Sequence, residues 1–427
     1  GYQSHPTVSS GPYKLTSFDW ETREATFEIN EYFKGMYDGA VPTIDNLRLK
    51  AVIPGTMMGE YEQGSVQLLN KVVAGENIDE GLAMLAEGTA LSSNYPRMGF
   101  GFLSFACEEG QGPFESEAVR KAVAYSIDVP GYTEAYSEQY AVSVYGYMGI
   151  GQWMYLVIEQ DGVPGIAQTE EEIAEWEALT LENLNEYEVN LETAKRLLVQ
   201  DGWTLNAEGN AFVEGTDKVR YKLEDGELKG LIVKWAKMQD SLAAQILEEK
   251  MIEPLAQIGM EVEITELPFT ELLEHYYRQK ERTYDMFYLA TNFVSIFDPY
   301  FVFNTADQYQ GTQNTTGLRD EHLQDLAKEL RETEPGALLE YCQKWVVLQE
   351  YWNDKLPMLP LYSNIYFDFF VQDLQNYFPD AEMNWPVAIV HAYTTEEKPE
   401  WLVLKEQADL LEAEAAGESG EIETITD

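Results

Sequence analysis

The stretch GPFESEAVRKAVAYSID, residues 112–128, predicts a tight turn followed by a short packed helix. Pro113 cannot continue a helix from the residues before it, and Ser116 is a favoured helix N-cap. Just upstream, residues 98–106 form an apolar run rich in Gly and Phe, which predicts a buried strand. The helix has one mostly apolar face, formed at helical spacing by Val119, Ala122, Val123, Ser126 and Ile127. The unit therefore joins an extended segment to a helix that packs by one face.

The composition is that of a large, strongly acidic globular protein. The chain has 427 residues, which is enough for two or three domains, and 45% of them are hydrophobic. Its 75 acidic residues outnumber the 28 basic ones, giving a formal net charge of −47 at pH 7. Such a charge repels nucleic acid and anionic membrane surfaces, so we exclude both as direct partners.

The sequence carries no signature of an enzyme, a cofactor or a metal site. Motifs of serine hydrolases, zinc proteases and P-loop proteins are absent, and the four histidines are scattered. The polar stretch 307–317 lacks the spacing of a calcium loop. Of the two cysteines, Cys107 and Cys342, the second lies on the apolar stripe of a predicted helix, which favours a buried free thiol. We therefore expect no catalysis, no cofactor and no metal.

Residues 231–292 alternate between strand and helix patterns. The runs 231–236, 259–267 and 284–292 predict strands, and the segments between them carry helical apolar faces. This order predicts βαβ crossovers, an α/β fold and a largely parallel sheet.

Local signals predict several further ends and elements. Asp240 and Thr270 are predicted to cap two helices, and Pro254 is predicted to kink the first helix or end it early. Residues 64–91 predict one or two helices, and residues 338–352 carry a helical apolar stripe.

The stretch 112–128 also resembles the pattern P-F-x-D-x-R-V-R-x-A-hydrophobic-x-Y-A-I-D of the family 5 extracellular solute-binding proteins. These are the oligopeptide- and dipeptide-binding receptors of ABC importers. Further stretches match in the family's order, at residues 10–15, 74–82, 190–203, 231–299 and 356–362. The resemblance implies a two-lobed, periplasmic-binding-protein-like fold of type II, with mixed, largely parallel sheets joined by crossing hinge strands.

The resemblance also implies a division of the chain. Residues 1–105 with 366–395 are expected to form the first lobe, and residues 106–365 the second, with the ligand trapped between the lobes. An N-terminal part of the first lobe is expected to be missing, and residues 396–427 form an acidic tail. Proteins of this kind are monomers that deliver ligand to permease subunits, and they are extracellular, either as cell-surface lipoproteins or in the periplasm.

In peptide-binding members, a helix, the end of the next strand and a returning hinge strand contribute to the ligand site. The matching positions here are Phe269, Tyr276, Thr291, Asn292, Asp298 and Tyr362. Tyr147 and Trp153, from a loop rich in Gly and aromatic residues, are further candidates because their rings are able to stack on a sugar or a side chain. The alternative is that this loop packs under its own aromatic residues.

The resemblance departs from the family at the ligand's amino group. Peptide receptors carry an acidic residue shortly before the Asp-Pro step to pair with the ligand's ammonium group, whereas residues 290–297, ATNFVSIF, contain none. A buried ammonium group without its carboxylate costs several kcal/mol. The missing acid argues against recognition of a peptide's ammonium group and favours a neutral ligand such as an oligosaccharide. Because peptide receptors are the commonest members of the family, we still expect a peptide as ligand, with an oligosaccharide as the alternative. Two other classes remain open, a secreted carbohydrate-active enzyme and a surface adhesin or sensor.

Overall fold

The protein is represented by a computed structural model, which describes residues 6, 8–19, 22–159, 169–395 and 397–415. The chain divides into two compact units. Unit 1 comprises residues 1–72, 77–95 and 367–427, and unit 2 comprises residues 73–76 and 96–366. Residues 396 and 416–427 of the predicted acidic tail lie outside the described residues.

The described residues form both strands and helices. The strands are β1 (Tyr13–Asp19), β2 (Glu24–Ile29), β3 (Asn46–Lys50), β4 (Leu68–Val72), β5 (Leu91–Pro96), β6 (Gly101–Phe105), β7 (Ala141–Ser143), β8 (Tyr221–Glu224), β9 (Glu227–Gly230), β10 (Ile232–Met238), β11 (Glu261–Leu267), β12 (Met286–Ala290) and β13 (Met358–Phe370). The helices are α1 (Met57–Glu62), α2 (Gly75–Glu87), α3 (Glu117–Ala124), α4 (Val129–Ser137), α5 (Trp153–Glu159), α6 (Glu170–Glu177), α7 (Leu191–Gln200), α8 (Leu242–Gln257), α9 (Phe269–Tyr276), α10 (Glu321–Arg331), α11 (Leu338–Lys355), α12 (Trp385–His391) and α13 (Glu400–Ala415).

Unit 1 is built on antiparallel pairs. Strands β1, β2 and β3 form a three-stranded antiparallel sheet. Strand β4 pairs antiparallel with the end of β13, where Phe367 lies opposite Val72. A small core around Phe370, Tyr377 and Ile389 packs beside this end of β13.

Unit 2 is organised around a mixed sheet. Strand β10 pairs parallel with both β11 and β12, whereas β6 pairs antiparallel with β12 and β13. Helices α8 and α9 connect β10, β11 and β12, which confirms the predicted βαβ order. Successive residues of β6 face different hydrophobic clusters, because side chains alternate along a strand: Leu103 joins one cluster and Phe102 the other. The sheet is therefore covered by apolar side chains on both faces.

Residues 112–128 form the predicted turn and helix. Pro113 starts a short 3₁₀ turn, and α3 follows with Ser116 at its N-cap position. Arg120 is buried and holds the turn, since its guanidinium donates to the carbonyl oxygens of Phe114 (2.7 Å) and Lys355 (2.8 Å). This side chain thus ties the start of α3 to the end of α11.

Several local predictions are wrong in detail. Residues 68–72 form strand β4, not a helix, because their apolar residues complete a sheet in unit 1. Ser241 caps α8, with its hydroxyl accepting from the backbone N–H of Ala244, whereas Asp240 has a left-handed backbone. Helix α9 begins before Thr270, at Phe269.

Two further features concern Pro254 and the cysteines. Helix α8 continues to Gln257, so Pro254 does not end it, although the ring removes one backbone donor near the last turn. Cys107 and Cys342 are both buried and free, which confirms the predicted thiol of Cys342. They lie in different hydrophobic clusters of unit 2, so they have no opportunity to pair.

The boundary between the units differs from the one implied by the resemblance. Strand β6 belongs to unit 2, where it pairs along its whole length with β12, from Phe105 opposite Met286 to Gly101 opposite Ala290. The predicted first lobe, which extended to residue 105, includes this strand. Within the described part of the chain, no helix is long and apolar enough to cross a membrane.

Candidate functional site

The candidate site lies where strand β12 ends. The chain leaving this strand hydrogen-bonds to the segment before β6: Thr291 N–H donates to Phe100 O (2.9 Å), and Phe293 N–H to Met98 O (3.1 Å). Gly99 allows this approach, because a Cβ atom there would lie 2.1 Å from the carbonyl oxygen of Thr291. Ser363 of β13 donates to Gly99 O (2.7 Å) from the other side. The backbone at this edge is therefore fixed by three segments of unit 2.

Arg97 lies at the centre of this edge. Its Nε donates to Thr291 O (3.1 Å) and Asn292 Oδ1 (3.1 Å), its Nη2 to Thr291 O (2.8 Å), and its Nη1 to Asn364 Oδ1 (3.2 Å). The guanidinium carbon also lies 5.4 Å from the ring centre of Tyr366. Arg97 thus donates hydrogen bonds to three neutral oxygen atoms, two at the end of β12 and one on β13.

Among the residues that the structure describes, no carboxylate pairs with the charge of Arg97. The residue is only 5% exposed, yet it forms no ion pair within the described residues. Buried arginines are normally paired, because an isolated charge is costly to remove from water. An uncompensated buried cation is therefore an unusual feature in a chain whose formal charge is −47.

Asn292 is exposed and held in one orientation. Its Oδ1 accepts from Arg97 and from the hydroxyl of Tyr366 (3.0 Å). Burial raises the pKa of Tyr366, so this hydroxyl is protonated and available as a donor. Because an arginine has only donors, the amide oxygen of Asn292 must face inward, and its NH₂ group faces away from the cluster. At Asn292 the site therefore presents the two N–H donors of the amide group.

Tyr362 belongs to a buried group of phenols behind this edge. Its hydroxyl lies 3.2 Å from that of Tyr288, which in turn lies 3.1 Å from that of Tyr132. Burial raises the pKa of Tyr288 and Tyr132 well above the ordinary value, so these phenols remain protonated. Gly101 is required beside them, since a Cβ atom there would lie 2.3 Å from the ring of Tyr362. Tyr362 therefore supports the site from the core.

The loop after Asn292 presents apolar side chains. Val294 is 73% exposed and Ile296 is 81% exposed, whereas Phe297 is buried. Phe293 and Phe297 anchor the loop, with ring centroids 5.1 Å apart and an edge-to-face arrangement. Exposed aliphatic residues on an anchored loop, next to oriented donors, are typical of a binding surface.

Two of the other predicted site residues pack against neighbouring rings of unit 2. Tyr147 is buried, with ring centroids 5.0 Å from Phe293 and 5.5 Å from Trp352. Trp153 stacks on Tyr341 at 5.7 Å. The loop that carries them thus packs under aromatic residues of the protein, which was the alternative considered from the sequence.

The remaining predicted residues lie on α9 and beyond the apolar loop. The buried hydroxyl of Tyr276 accepts from the hydroxyl of Thr315 (2.8 Å), and burial raises the pKa of Tyr276 to about 12. Phe269 is exposed at the start of α9. Asp298 forms an ion pair with Arg331, with 3.4 Å between Oδ2 and Nε.

Sequence reasoning missed the residues that organise the site. Arg97, Asn364 and Tyr366 were not among the candidates. The available signal was a single arginine directly before the apolar run 98–106, which contains β6. Tyr362, Asn364 and Tyr366 occupy every second position of β13 and therefore share one face of the strand. The predicted Tyr362 thus pointed to the correct strand.

A cleft of about 550 Å³ opens at the other end of β10 and β12. It is lined by Ile232 and Lys234 at the start of β10, by Asp285 just before β12, and by residues of the β8–β9 hairpin. Ligands of α/β sheets bind at the carboxyl ends of parallel strands, which favours the Asn292 edge over this cleft. The described residues contain no group of three His, Cys, Asp or Glu side chains that could hold a metal ion.

The sequence matches one protein family over most of its length. The sequence model of the bacterial extracellular solute-binding proteins, family 5 (middle region), matches residues 1–314. No curated protein is similar enough to count as a match.

Solved structures are similar in fold at low sequence identity. The oligopeptide-binding protein AppA from Bacillus subtilis, in complex with a nonapeptide, is 15% identical with a TM-score of 0.72; the match covers 92% of this chain and 68% of AppA. An oligopeptide-binding protein from Thermus thermophilus, with a pentapeptide, is 16% identical with a TM-score of 0.72, and the match covers 93% and 65%.

A third similar structure holds a different ligand. NikA from Brucella suis, in complex with Fe(III)-EDTA, is 16% identical with a TM-score of 0.59; the match covers 91% of this chain and 68% of NikA. The chain therefore spans about two thirds of the length of each of these structures. At such identities the similarity establishes the fold and leaves the ligand to the residues of the site.

Proposed function

The chain belongs to the bacterial extracellular solute-binding proteins, family 5, and we propose that it captures peptides and delivers them to the permease of an ABC importer. The observation that carries the proposal is the end of β12, where Asn292, with its oriented NH₂ group, is followed along the chain by the exposed side chains of Val294 and Ile296. A peptide offers carbonyl oxygens to such donors and aliphatic or aromatic side chains to such a loop. The peptide complexes of AppA and the Thermus protein agree with this choice.

The predicted site residues take different parts in this proposal. We propose that Asn292 and Phe269 contact ligand, because both are exposed. Tyr276, Tyr362 and Tyr147 are buried and would shape the surface from behind. The backbone oxygen of Thr291 is occupied by Arg97, so Thr291 contributes through its hydroxyl. Asp298 is a poor replacement for the missing acid, because Arg331 already pairs with it.

An oligosaccharide is the weaker alternative. Sugar receptors rely on exposed aromatic faces, and the two aromatic residues that suggested a sugar are packed against other rings, Tyr147 beside Phe293 and Trp153 on Tyr341. The family description places such receptors outside the cell, and a lipoprotein anchor and a monomeric state remain expectations.

Calorimetric titration of the full chain tests the proposal. We expect short peptides containing aliphatic residues to bind with one-to-one stoichiometry, and maltotriose and other neutral oligosaccharides to give no heat. Mass spectrometry of each mixture after prolonged incubation checks for turnover. Binding of sugars without binding of peptides, or turnover of any compound, would contradict the proposal.

A further inference from the structure

We propose that the Asn292 edge recognises a carboxylate group of the ligand and excludes an ammonium group. The inference rests on the proposed function and specifies which chemical group of the ligand this edge recognises. It follows from the hydrogen bonds of Arg97 and from the charge that they leave uncompensated.

The oxygen atoms at this edge are poorly suited to an ammonium group. An ammonium group needs oxygen atoms with free lone pairs and, when desolvated, a negative charge. The carbonyl oxygen of Thr291 receives two N–H groups from Arg97, and Oδ1 of Asn292 receives one from Arg97 and the hydroxyl of Tyr366. The side-chain oxygen of Asn364 is also taken by Arg97. The oxygen atoms that would hold an ammonium group are thus already bound to donors.

Arg97 and Asn292 supply the hydrogen-bond donors that remain at this edge. A guanidinium carries five N–H groups, and the two terminal nitrogens of Arg97 each make one hydrogen bond with the described residues. Each therefore keeps one N–H to which no described residue is an acceptor. The NH₂ group of Asn292 adds two further donors on the exposed side. The edge is consequently rich in donors and poor in acceptors.

The charge of Arg97 also favours an anionic group of the ligand. Arg97 is buried without an acidic partner, so its positive charge is screened by little water and by no carboxylate among the described residues. A carboxylate beside Asn292 would accept from its outward NH₂ group and compensate the cation, which lies 3.1 Å from Oδ1 of Asn292. The same charge repels a ligand ammonium, which agrees with the absence of acidic residues in 290–297.

The test uses matched peptides and the full chain. The probes are a free tripeptide such as Ala-Leu-Ala, its C-terminal amide and its N-acetyl derivative, with citrate as a carboxylate that is not a peptide. We expect amidation to weaken binding at least about tenfold, because a hydrogen bond to a charged group is lost. We expect N-acetylation to change the affinity by less than about twofold.

Asn292→Asp is the decisive variant. Its carboxylate still accepts from Arg97 and Tyr366, which preserves the fold, but it replaces the outward NH₂ group by an oxygen and compensates the cation. We expect this variant to bind the free tripeptide at least about tenfold more weakly and to lose the preference for acid over amide. Asn210→Asp, an equal charge change at an exposed position on the turn between residues 206 and 210, is the control and should bind as the wild type does.

The possible outcomes separate the two proposals. If peptides bind but acid and amide are equal, or if acetylation abolishes binding, the carboxylate inference is wrong and peptide capture stands. If citrate binds in a manner sensitive to Asn292→Asp and no peptide does, peptide capture is wrong and the carboxylate inference stands. If no probe binds, both are wrong.

Discussion

Asp368 is a carboxylate buried in unit 1, with no exposed surface. It accepts hydrogen bonds from the Asn70 amide (2.9 Å), the Lys71 backbone N–H (2.7 Å) and the Tyr377 hydroxyl (2.7 Å). These bonds join β4 to β13 and to the segment after β13, so one side chain fixes three pieces of chain.

We predict that Asp368→Asn destabilises the protein by about 1–3 kcal/mol, because an NH₂ group then faces donors. Urea unfolding followed by circular dichroism measures the change. Asp373→Asn, which alters an exposed carboxylate five residues away, is the control and should unfold as the wild type does. Equal unfolding midpoints for the two variants would contradict the structural role of Asp368.

The pKa of Asp38 lies below its ordinary value, whereas burial without hydrogen-bonding partners would raise it. Burial acts to raise its pKa, but hydrogen bonds from His391, the Ala40 backbone and Lys405 outweigh it and lower the pKa to about 2. The folded state therefore binds fewer protons than the unfolded state between about pH 2 and the ordinary Asp pKa of about 4.

Stability from Asp38 is therefore present above about pH 4 and is lost as the pH falls towards 2. We predict that Asp38→Asn lowers the free energy of unfolding at pH 6 and has a smaller effect at pH 3. Unfolding by urea at both values measures the difference. An effect of equal size at the two pH values would show that the charge of Asp38 contributes nothing.

At the scale of elements, helix α3 depends on the side chain of Arg120. We predict that Arg120→Met destabilises unit 2 by about 2–4 kcal/mol, because the carbonyl groups of Phe114 and Lys355 lose buried donors. Thermal unfolding measures the loss, and Arg196→Met, on the exposed side of α7, is the matched control. A shift no larger than that of the control would mean that these carbonyl groups find other partners.

Element types were predictable where the pattern was local. The helices α3, α8, α9 and α11 and the strands β10, β11 and β12 follow from spacing of apolar residues within a short window. Strand β4 was mistaken for a helix because its apolar residues are satisfied by pairing with β13, almost 300 residues later in the chain. Local spacing carries no information about such a partner.

The candidate site was predictable only in part for the same reason. The resemblance pointed to Thr291, Asn292 and Tyr362, which lie on the strand ends that meet at this edge. The side chain of Arg97 donates hydrogen bonds to residues 194 to 267 positions away, and these bonds decide which atoms of Asn292 face outward. A contact between distant segments, and the orientation of an amide, are set by the fold and leave no pattern in a single sequence.

At the scale of the whole molecule, the excess of acidic residues is the dominant property. Even if every basic side chain paired with one acid, 47 acids (75 − 28) would remain without a cationic partner. Repulsion among them is weakest when the chain expands, so the net charge destabilises the compact state. Ion pairs such as Lys237–Glu248 and Lys121–Asp354 act in the opposite direction, but they are local and fewer than the unpaired acids.

Salt should therefore stabilise this protein. The Debye length shortens from about 30 Å at 0.01 M to about 3 Å at 1 M, so added salt screens the long-range repulsion more than it weakens contacts at hydrogen-bond distance. We predict that raising NaCl from about 0.01 M to about 0.5 M increases the unfolding midpoint by about 3 °C or more, equivalent to roughly 1 kcal/mol. KCl at the same ionic strength should act equally, because screening does not depend on the identity of the monovalent cation. A fall in the midpoint would mean that the ion pairs outweigh the repulsion, and a rise with only one of the two salts would indicate a specific cation site instead of screening.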